Sequence, residues 1–320
     1  MLLFSLFSCL VSLHDVMWST GRGSLFLLNH SADPANECLP GIGIRSAFPY
    51  DADSLFDVTW SEAESSILWA ASGDGMIHVY DLSSDKRMAS VRGHEREVSA
   101  IEWSPGDRSR VASCSWDSSV MIWDAQTATP THRLGTSSNA YCHAVAWSVR
   151  MPGTLAAASA DGILSIYHAN NTQASMQVRA SNAELLSCDF SKYDDHLIVV
   201  SSVDSLIRGF DLRSPSNPVF VLPGHERAVK RVKFNPFERS ILCSTSFDFT
   251  TRIWDLGRLN HHQASHDYGQ QNPFSQSSGL VLTMQNHTEF VYGLDFSLHR
   301  NGLFADCGWD QRIVICQPVS

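Results

Sequence analysis

The chain has 320 residues, 43% of them hydrophobic and 18% charged, with 23 Lys and Arg against 33 Asp and Glu for a formal net charge of -10. A folded chain of this size hides about 75% of the surface its unfolded form exposes, so it needs no disulfide staples, and its balance is that of a globular protein rather than a disordered or membrane-spanning one. An acidic surface repels phosphate backbones, which argues against nucleic acid as a partner and for a basic peptide or protein.

The chain opens on MLLFSLFSCLVSL, an apolar stretch of signal-peptide length with no Lys or Arg ahead of it. It is too short for a membrane-spanning helix, and no direct membrane insertion is expected. SLHDVMWS, starting at Ser12, has the look of a first strand. GRGSLFLLNH from Gly21 reads as a third strand and GIRSAFPY from Gly43 as a fourth. Residues 1–53 are therefore an atypical N-terminal segment holding part of one repeat unit.

From residue 54 to residue 320 two markers recur together. Aromatic residues ending a V-x-x-V-x-W-S type strand stand at Trp60, Trp103, Trp147, Phe190, Phe234 and Phe296, in steps of 43, 44, 43, 44 and 62. Turn aspartates stand at Asp74, Asp117, Asp161, Asp204, Asp248 and Asp310, in the same steps. Each unit holds an alternating strand, an apolar strand, the Asp turn and a third strand such as VMIWD or TRIWD. Gly93-His94, Gly224-His225 and Asn286-His287 precede three of the units. A period of roughly 40 to 45 residues with these marks is that of WD repeats, each one a four-stranded blade. The fold class is an all-β WD-repeat β-propeller: six visible blades, and seven with an incomplete or atypical first one. The long last step comes from a polar loop at 257–280, free of periodicity. Its His262 and His266 are spaced i, i+4, but no Glu follows the first and no Cys is near. The loop reads as solvated and no metal or cofactor is expected.

The recurring His and Asp have a structural role. In the second unit His94 can bond Asp117, with Ser113 or Ser115 and Trp123 completing a buried network, because a buried carboxylate must be paired or hydrogen-bonded. His225, Asp248 and Trp254, and then His287 and Asp310, repeat the set. The eight cysteines, at 9, 38, 114, 142, 188, 243, 307 and 316, show no C-x-x-C pair and sit mostly in apolar strands. They read as buried thiols of a reducing compartment.

A propeller does not imply one function, so function is sought on the exposed face. The residues before the turn aspartates are Gly73, Trp116, Ala160, Val203, Phe247 and Trp309. Those leading into first strands include Glu97, Tyr141, Glu184, Ala228 and Phe290, with Asp51 and Asp53 ahead of the first full unit. A ring mixing aromatics with carboxylates suits a basic amphipathic helix. The candidate peptide-binding set is Asp53, Glu97, Trp116, Tyr141, Glu184, Phe247, Phe290 and Trp309.

The runs SLFDVTWSE, HEREVSAIEWS, SCSWDSSVMIWD, AELLSCDFSKYDDHL, SLIRGFDLRSPSNPVFVLPGH, AVKRVKFNPFERSIL and HTEFVYGLDFSLHRNGLFADCGWD resemble the peroxin 7 family, receptors for the type-2 peroxisomal targeting signal. The resemblance spans every visible blade and departs from the family at the N-terminus, where its usual opening strand and that strand's neighbour are missing. It implies capture of enzymes bearing a short basic N-terminal helix, 3-ketoacyl-CoA thiolase being the familiar cargo, with a co-receptor peroxin and docking peroxins as partners. It also implies cycling between cytoplasm and peroxisome matrix. A second reading is a substrate adaptor of a cullin-type ubiquitin ligase, resting on GFDLR, where Asp211 and Arg213 match a W-D-x-R box with Phe210 in place of Trp. No nucleophile elbow, phosphate loop or metal triad is present, and no enzymatic activity is expected.

Overall fold

The computed structural model describes residues 23–30, 42–50, 53–136, 139–171, 173–259 and 279–317. They form strands, turns and one short 3-10 segment, Leu256–Arg258. Strands β1 (Gly23–His30) and β2 (Ile42–Tyr50) pair as an antiparallel hairpin. The first four-stranded blade is β3 (Leu55–Trp60), β4 (Ile67–Ser72), β5 (Met76–Asp81) and β6 (Lys86–Arg92); the second is β7 (Val98–Trp103), β8 (Arg110–Ser115), β9 (Ser119–Asp124) and β10 (Thr129–Gly135). The third comprises β11 (Cys142–Trp147), β12 (Thr154–Ser159), β13 (Ile163–His168) and β14 (Ala174–Arg179). The fourth comprises β15 (Leu185–Phe190), β16 (Leu197–Ser202), β17 (Ile207–Asp211) and β18 (Phe220–Leu222). The fifth is β19 (Val229–Phe234), β20 (Ile241–Ser246), β21 (Thr251–Asp255) and β22 (Leu280–Met284), and the last has three strands, β23 (Val291–Phe296), β24 (Phe304–Gly308) and β25 (Ile313–Cys316).

The expected count of seven blades is therefore corrected to six blades and a separate two-stranded sheet. Residues 23–50 supply only the hairpin, and among the described residues no inner pair of strands joins it to make a seventh blade. SLHDVMWS, read from the sequence as a first strand, lies outside the described residues, as do Cys9, Cys38, His262 and His266.

The core lies between blades. Second strands carry small or β-branched residues such as Ala70-Ala71, Ala112, Ala156–Ala158 and Val199-Val200, all fully buried, which lets neighbouring sheets approach closely. Between the first two blades Trp69 meets Trp103 edge-on at 5.9 Å and Trp123 at 6.4 Å. The hairpin packs Leu25, Leu27 and Phe48 on Leu55, Leu68 and Tyr80 of the first blade.

Two local devices repeat in all six blades. The residue after each turn aspartate has positive φ: Gly75, Ser118, Gly162, Ser205, Phe249 and Gln311. The aspartate holds this tight turn by accepting a backbone N–H two residues on, as Asp117 does from Ser119 at 3.0 Å and Asp248 from Thr250 at 3.0 Å. Each inner strand also slips register near its start, between Leu55 and Asp57, Val98 and Ala100, Cys142 and Ala144, Leu185 and Ser187, Val229 and Arg231, and Val291 and Gly293. A bulge of this kind frees one residue from cross-strand pairing and re-aims its side chain. The residues so freed are Phe56, Ser99, His143, Leu186, Lys230 and Tyr292.

Candidate functional site at the channel mouth

The two sets of face residues are joined by backbone. The N–H of the residue before each turn aspartate donates to the C=O of the residue leading into the inner strand of the same blade. Trp116 N–H reaches Glu97 O at 3.0 Å, Ala160 reaches Tyr141 at 2.8 Å, Val203 reaches Glu184 at 2.9 Å, Phe247 reaches Ala228 at 3.0 Å and Trp309 reaches Phe290 at 2.9 Å. Each blade thus presents two welded positions on one face.

Beneath them lies the buried network. His94 Nδ1 is 3.0 Å from Asp117 Oδ2 and its Nε2 is 2.8 Å from Ser113 Oγ, to which Trp123 Nε1 also donates at 2.8 Å. His225, Asp248, Ser244 and Trp254 repeat this at 2.8, 2.7 and 2.8 Å. Burial works against the charge of Asp117 and Asp248, but hydrogen bonds from the histidine and from Ser119 or Thr250 hold both well below the usual carboxylate range. The last blade differs. Asp306 replaces the serine and Cys316 stands where the Trp would, so His287 lies between Asp310 at 3.0 Å and Asp306 at 3.2 Å. Burial opposes the His287 charge, yet the two carboxylates raise its pKa above the ordinary value.

On the face itself the candidate residues fall into two groups. In the first, Trp116 stacks on Tyr141 at 6.1 Å and 26° and meets Phe56 at 6.1 Å and His143 edge-on at 6.2 Å. Arg96 lies over the Tyr141 ring at 4.9 Å and pairs with Glu97 at 3.5 Å. Glu184 Oε2 is 3.7 Å from His143 Nε2. Asp53 accepts from Ser54 N–H at 2.6 Å and stands against Gly73, where a Cβ would come within 2.7 Å of its Oδ1 and 3.1 Å of the Phe56 ring. In the second group, Phe290 contacts Phe247 at 4.8 Å, Phe249 at 5.8 Å and Trp309 at 5.1 Å, and Arg227 lies over Phe249 at 5.4 Å. Trp116 and Trp309 line one shared central cavity of about 1530 Å³. Tyr141 and Trp309 are 44% and 41% exposed, as an anchor awaiting a partner would be. Asp51 lies outside the described residues.

Sequence reasoning missed Phe249, whose bulky side chain sits at φ 70 beside this cluster, and the bulge residues Phe56, His143, Lys230 and Tyr292. It also missed the charges lining the channel. Arg231 pairs with Asp57 at 3.0 Å, Lys192 with Asp189 at 2.9 Å, and Lys233 lies 3.8 Å from Glu102 and 4.0 Å from Asp189. Burial opposes the Lys233 charge, but Glu102 and Asp189 raise its pKa. The signal was available: the residue before the strand-ending aromatic is charged in four blades, as Glu102, Asp189, Lys233 and Asp295. The mouth is thus mixed in charge rather than uniformly acidic, with Arg96, Arg227 and Lys230 among its carboxylates. Of the box read for the second function, Arg213 folds onto Asp211 at 2.6 Å as a local, exposed pair.

These blades define a WD-repeat propeller, and no helix among the described residues is long and apolar enough to cross a membrane. Residues 85–124 and 216–255 match the family WD domain, G-beta repeat. The chain is 37% identical over 303 residues to a mouse protein named peroxisomal targeting signal 2 receptor, covering 93% of this chain and 86% of that one. The human protein of the same name is 37% identical over 276 residues (86% and 77%), and Arabidopsis peroxisome biogenesis protein 7 is 34% identical over 286 residues (88% and 84%). The chain belongs to the peroxisomal targeting signal 2 receptor family.

Proposed function

We propose that the chain binds the helical type-2 signal at the N-terminus of peroxisomal matrix enzymes and, with a co-receptor, carries them to the import machinery, cycling between cytoplasm and matrix without catalysing a reaction. The observation that carries this reading is the pairing, on one mouth of the channel, of two aromatic clusters with the carboxylates Glu97, Glu184 and Asp53. The apolar stripe of an amphipathic helix meets the rings, and its basic side chain meets the carboxylates. Exposed rim charges contribute only about 0 to 1 kcal/mol each, whereas a well-buried aromatic anchor costs about 2 kcal/mol or more when truncated. Specificity therefore comes from charge placement and affinity from the rings.

The test is a pull-down with a synthetic signal peptide, wild type and with its basic residue reversed to Glu, on the wild-type chain and on Glu97→Lys. The wild-type pair is retained. Charge reversal on either side weakens retention by about three- to tenfold, while the circular dichroism melt of Glu97→Lys stays that of wild type. Unchanged retention by the variant removes Glu97 from the site.

A further inference from the structure

The last blade is a strand short. Each of the other five ends in a fourth strand antiparallel to the third, and one apolar residue of that strand faces the position three after the turn aspartate. Val91 faces Ile77, Leu134 faces Val120, Val178 faces Leu164, Leu222 faces Ile207 and Met284 faces Thr251. The five third-strand residues are buried. The same position in the last blade is Ile313. Among the described residues β25 pairs with β24 alone, and Ile313 and the rest of the strand are only half-buried. Such an edge presents unpaired N–H and C=O groups, and β25 carries none of the charges or prolines that usually guard one.

A second recurring feature is missing at the same place. In the first three blades an arginine beside the facing residue reaches the turn: Arg92 and Arg179 donate to the C=O of Asp74 and Asp161 at 2.9 and 3.2 Å, and Arg133 to the Asp117 carboxylate at 3.3 Å. In the fourth and fifth the third strand supplies it, as Arg208 and Arg252, 2.7 and 3.7 Å from Asp204 and Asp248. Neither source serves the last blade. Val314 stands where Arg208 and Arg252 do, and among the described residues the ion pair of Asp310 is with His287 alone.

The repeat thus specifies what covers this edge: an antiparallel strand with Leu, Val or Met facing Ile313 and an Arg or Lys beside it, reaching Asp310. The chain holds no spare strand of that kind. Its residues outside the described set include one Arg and no Lys, and that Arg22 adjoins Gly23, where β1 begins its pairing with β2. A second copy pairing through β25 in full antiparallel register puts its Arg312 at the end of the ladder away from Asp310.

We propose that β25 is a docking edge completed in trans, by an extended segment of a partner protein that adds as the fourth strand of the last blade and places an aliphatic residue on Ile313 and a basic one at Asp310. β25 is the strand of its blade furthest from the inner strand β23, so the site is separate from the channel mouth.

The experiment is a fluorescence anisotropy titration of the full chain with a labelled peptide DKRMASVRG, the sequence around the fourth strand of the first blade, with hydrogen exchange followed at residues 313–316. The peptide binds wild type. Changing its valine to Asp weakens binding by about tenfold, and changing its last arginine to Glu by about threefold or more. Ile313→Lys weakens binding of the parent peptide by about tenfold, because the added charge is covered by the new strand. In the free chain residues 313–316 exchange fast, and the peptide slows them. Should Ile313→Lys melt early, exchange on wild type decides. The proposal is overturned by no binding, by binding that neither altered peptide nor Ile313→Lys weakens, or by slow exchange of 313–316 in the free chain. Slowing that appears only as the chain is concentrated assigns the edge to a second copy and overturns it as well.

Discussion

Ser113 is the residue on which the second blade's network turns, because a single hydroxyl serves both His94 Nε2 and Trp123 Nε1. Its replacement by Ala strands two buried nitrogens and costs about 2 kcal/mol, read as a lower urea midpoint at unchanged slope. Titration follows the same residues. Asp117 and Asp248 ionise more readily folded than unfolded, so the stability they contribute is complete above about pH 4 and is lost as pH falls from there. His287 has the opposite sign. Its raised folded pKa adds stability that is complete below about pH 6.5 and disappears as pH rises through the folded value. A series of melts between pH 6 and 9 on wild type and His287→Gln checks this: wild type loses stability with rising pH, and the variant starts lower and shows a flatter profile. The His-to-Asp spacing was plain in the sequence at 23 residues in three units. The switch to Asp306 was not, since a carboxylate in an apolar strand makes sense only when His287 is seen lying against it.

At the scale of strands, each inner strand would leave bare N–H groups toward the channel side of its neighbour, an edge that invites mispairing. In β7, β11 and β19 side chains of the preceding blade close it. Asp57 and Thr59 accept from Ile101 and Trp103 N–H, Glu102 accepts from Trp147 N–H at 2.7 Å, and Asp189 accepts from Phe234 N–H at 2.8 Å. Glu102 and Asp189 therefore do two jobs, bonding the next blade while approaching Lys233, Asp189 from the neighbouring blade and Glu102 from a blade further round. Lys233→Met removes the cation and leaves these carboxylates without it, and it should cost about 3 kcal/mol, with Lys233→Arg close to wild type; thermal melts at neutral pH measure both. Alternation in the sequence located these strands to within a residue or two. The bulges did not show, because an extra residue at the head of a strand leaves the hydrophobic pattern beyond it intact. The fate of His143 as a mouth residue rather than a core one was hidden with them.

For the whole molecule, a 43- or 44-residue period fixed the ring because each blade covers its apolar faces only by stacking on the next. The number of blades was less legible. A third and fourth strand can be recognised around Gly21 and Gly43, yet their existence does not ensure an inner pair, and the described residues form a hairpin against the first blade. The candidate site was legible where it recurs at the blade period, as with Trp116, Phe247 and Trp309, and illegible where it depends on which rings touch. The separation into a Trp116–Tyr141 group and a Phe247–Phe290–Trp309 group is a property of three-dimensional packing alone. The claim on which the rest depends is that this mouth grips an amphipathic helix through those rings. Isothermal titration of a synthetic type-2 signal peptide into the chain and into a Phe290→Ala, Trp309→Ala double variant measures it directly. The account predicts one peptide per chain and a loss of about 100-fold or more in the double variant while its circular dichroism spectrum stays that of wild type; equal affinity for both proteins, or no binding heat with wild type, would contradict it.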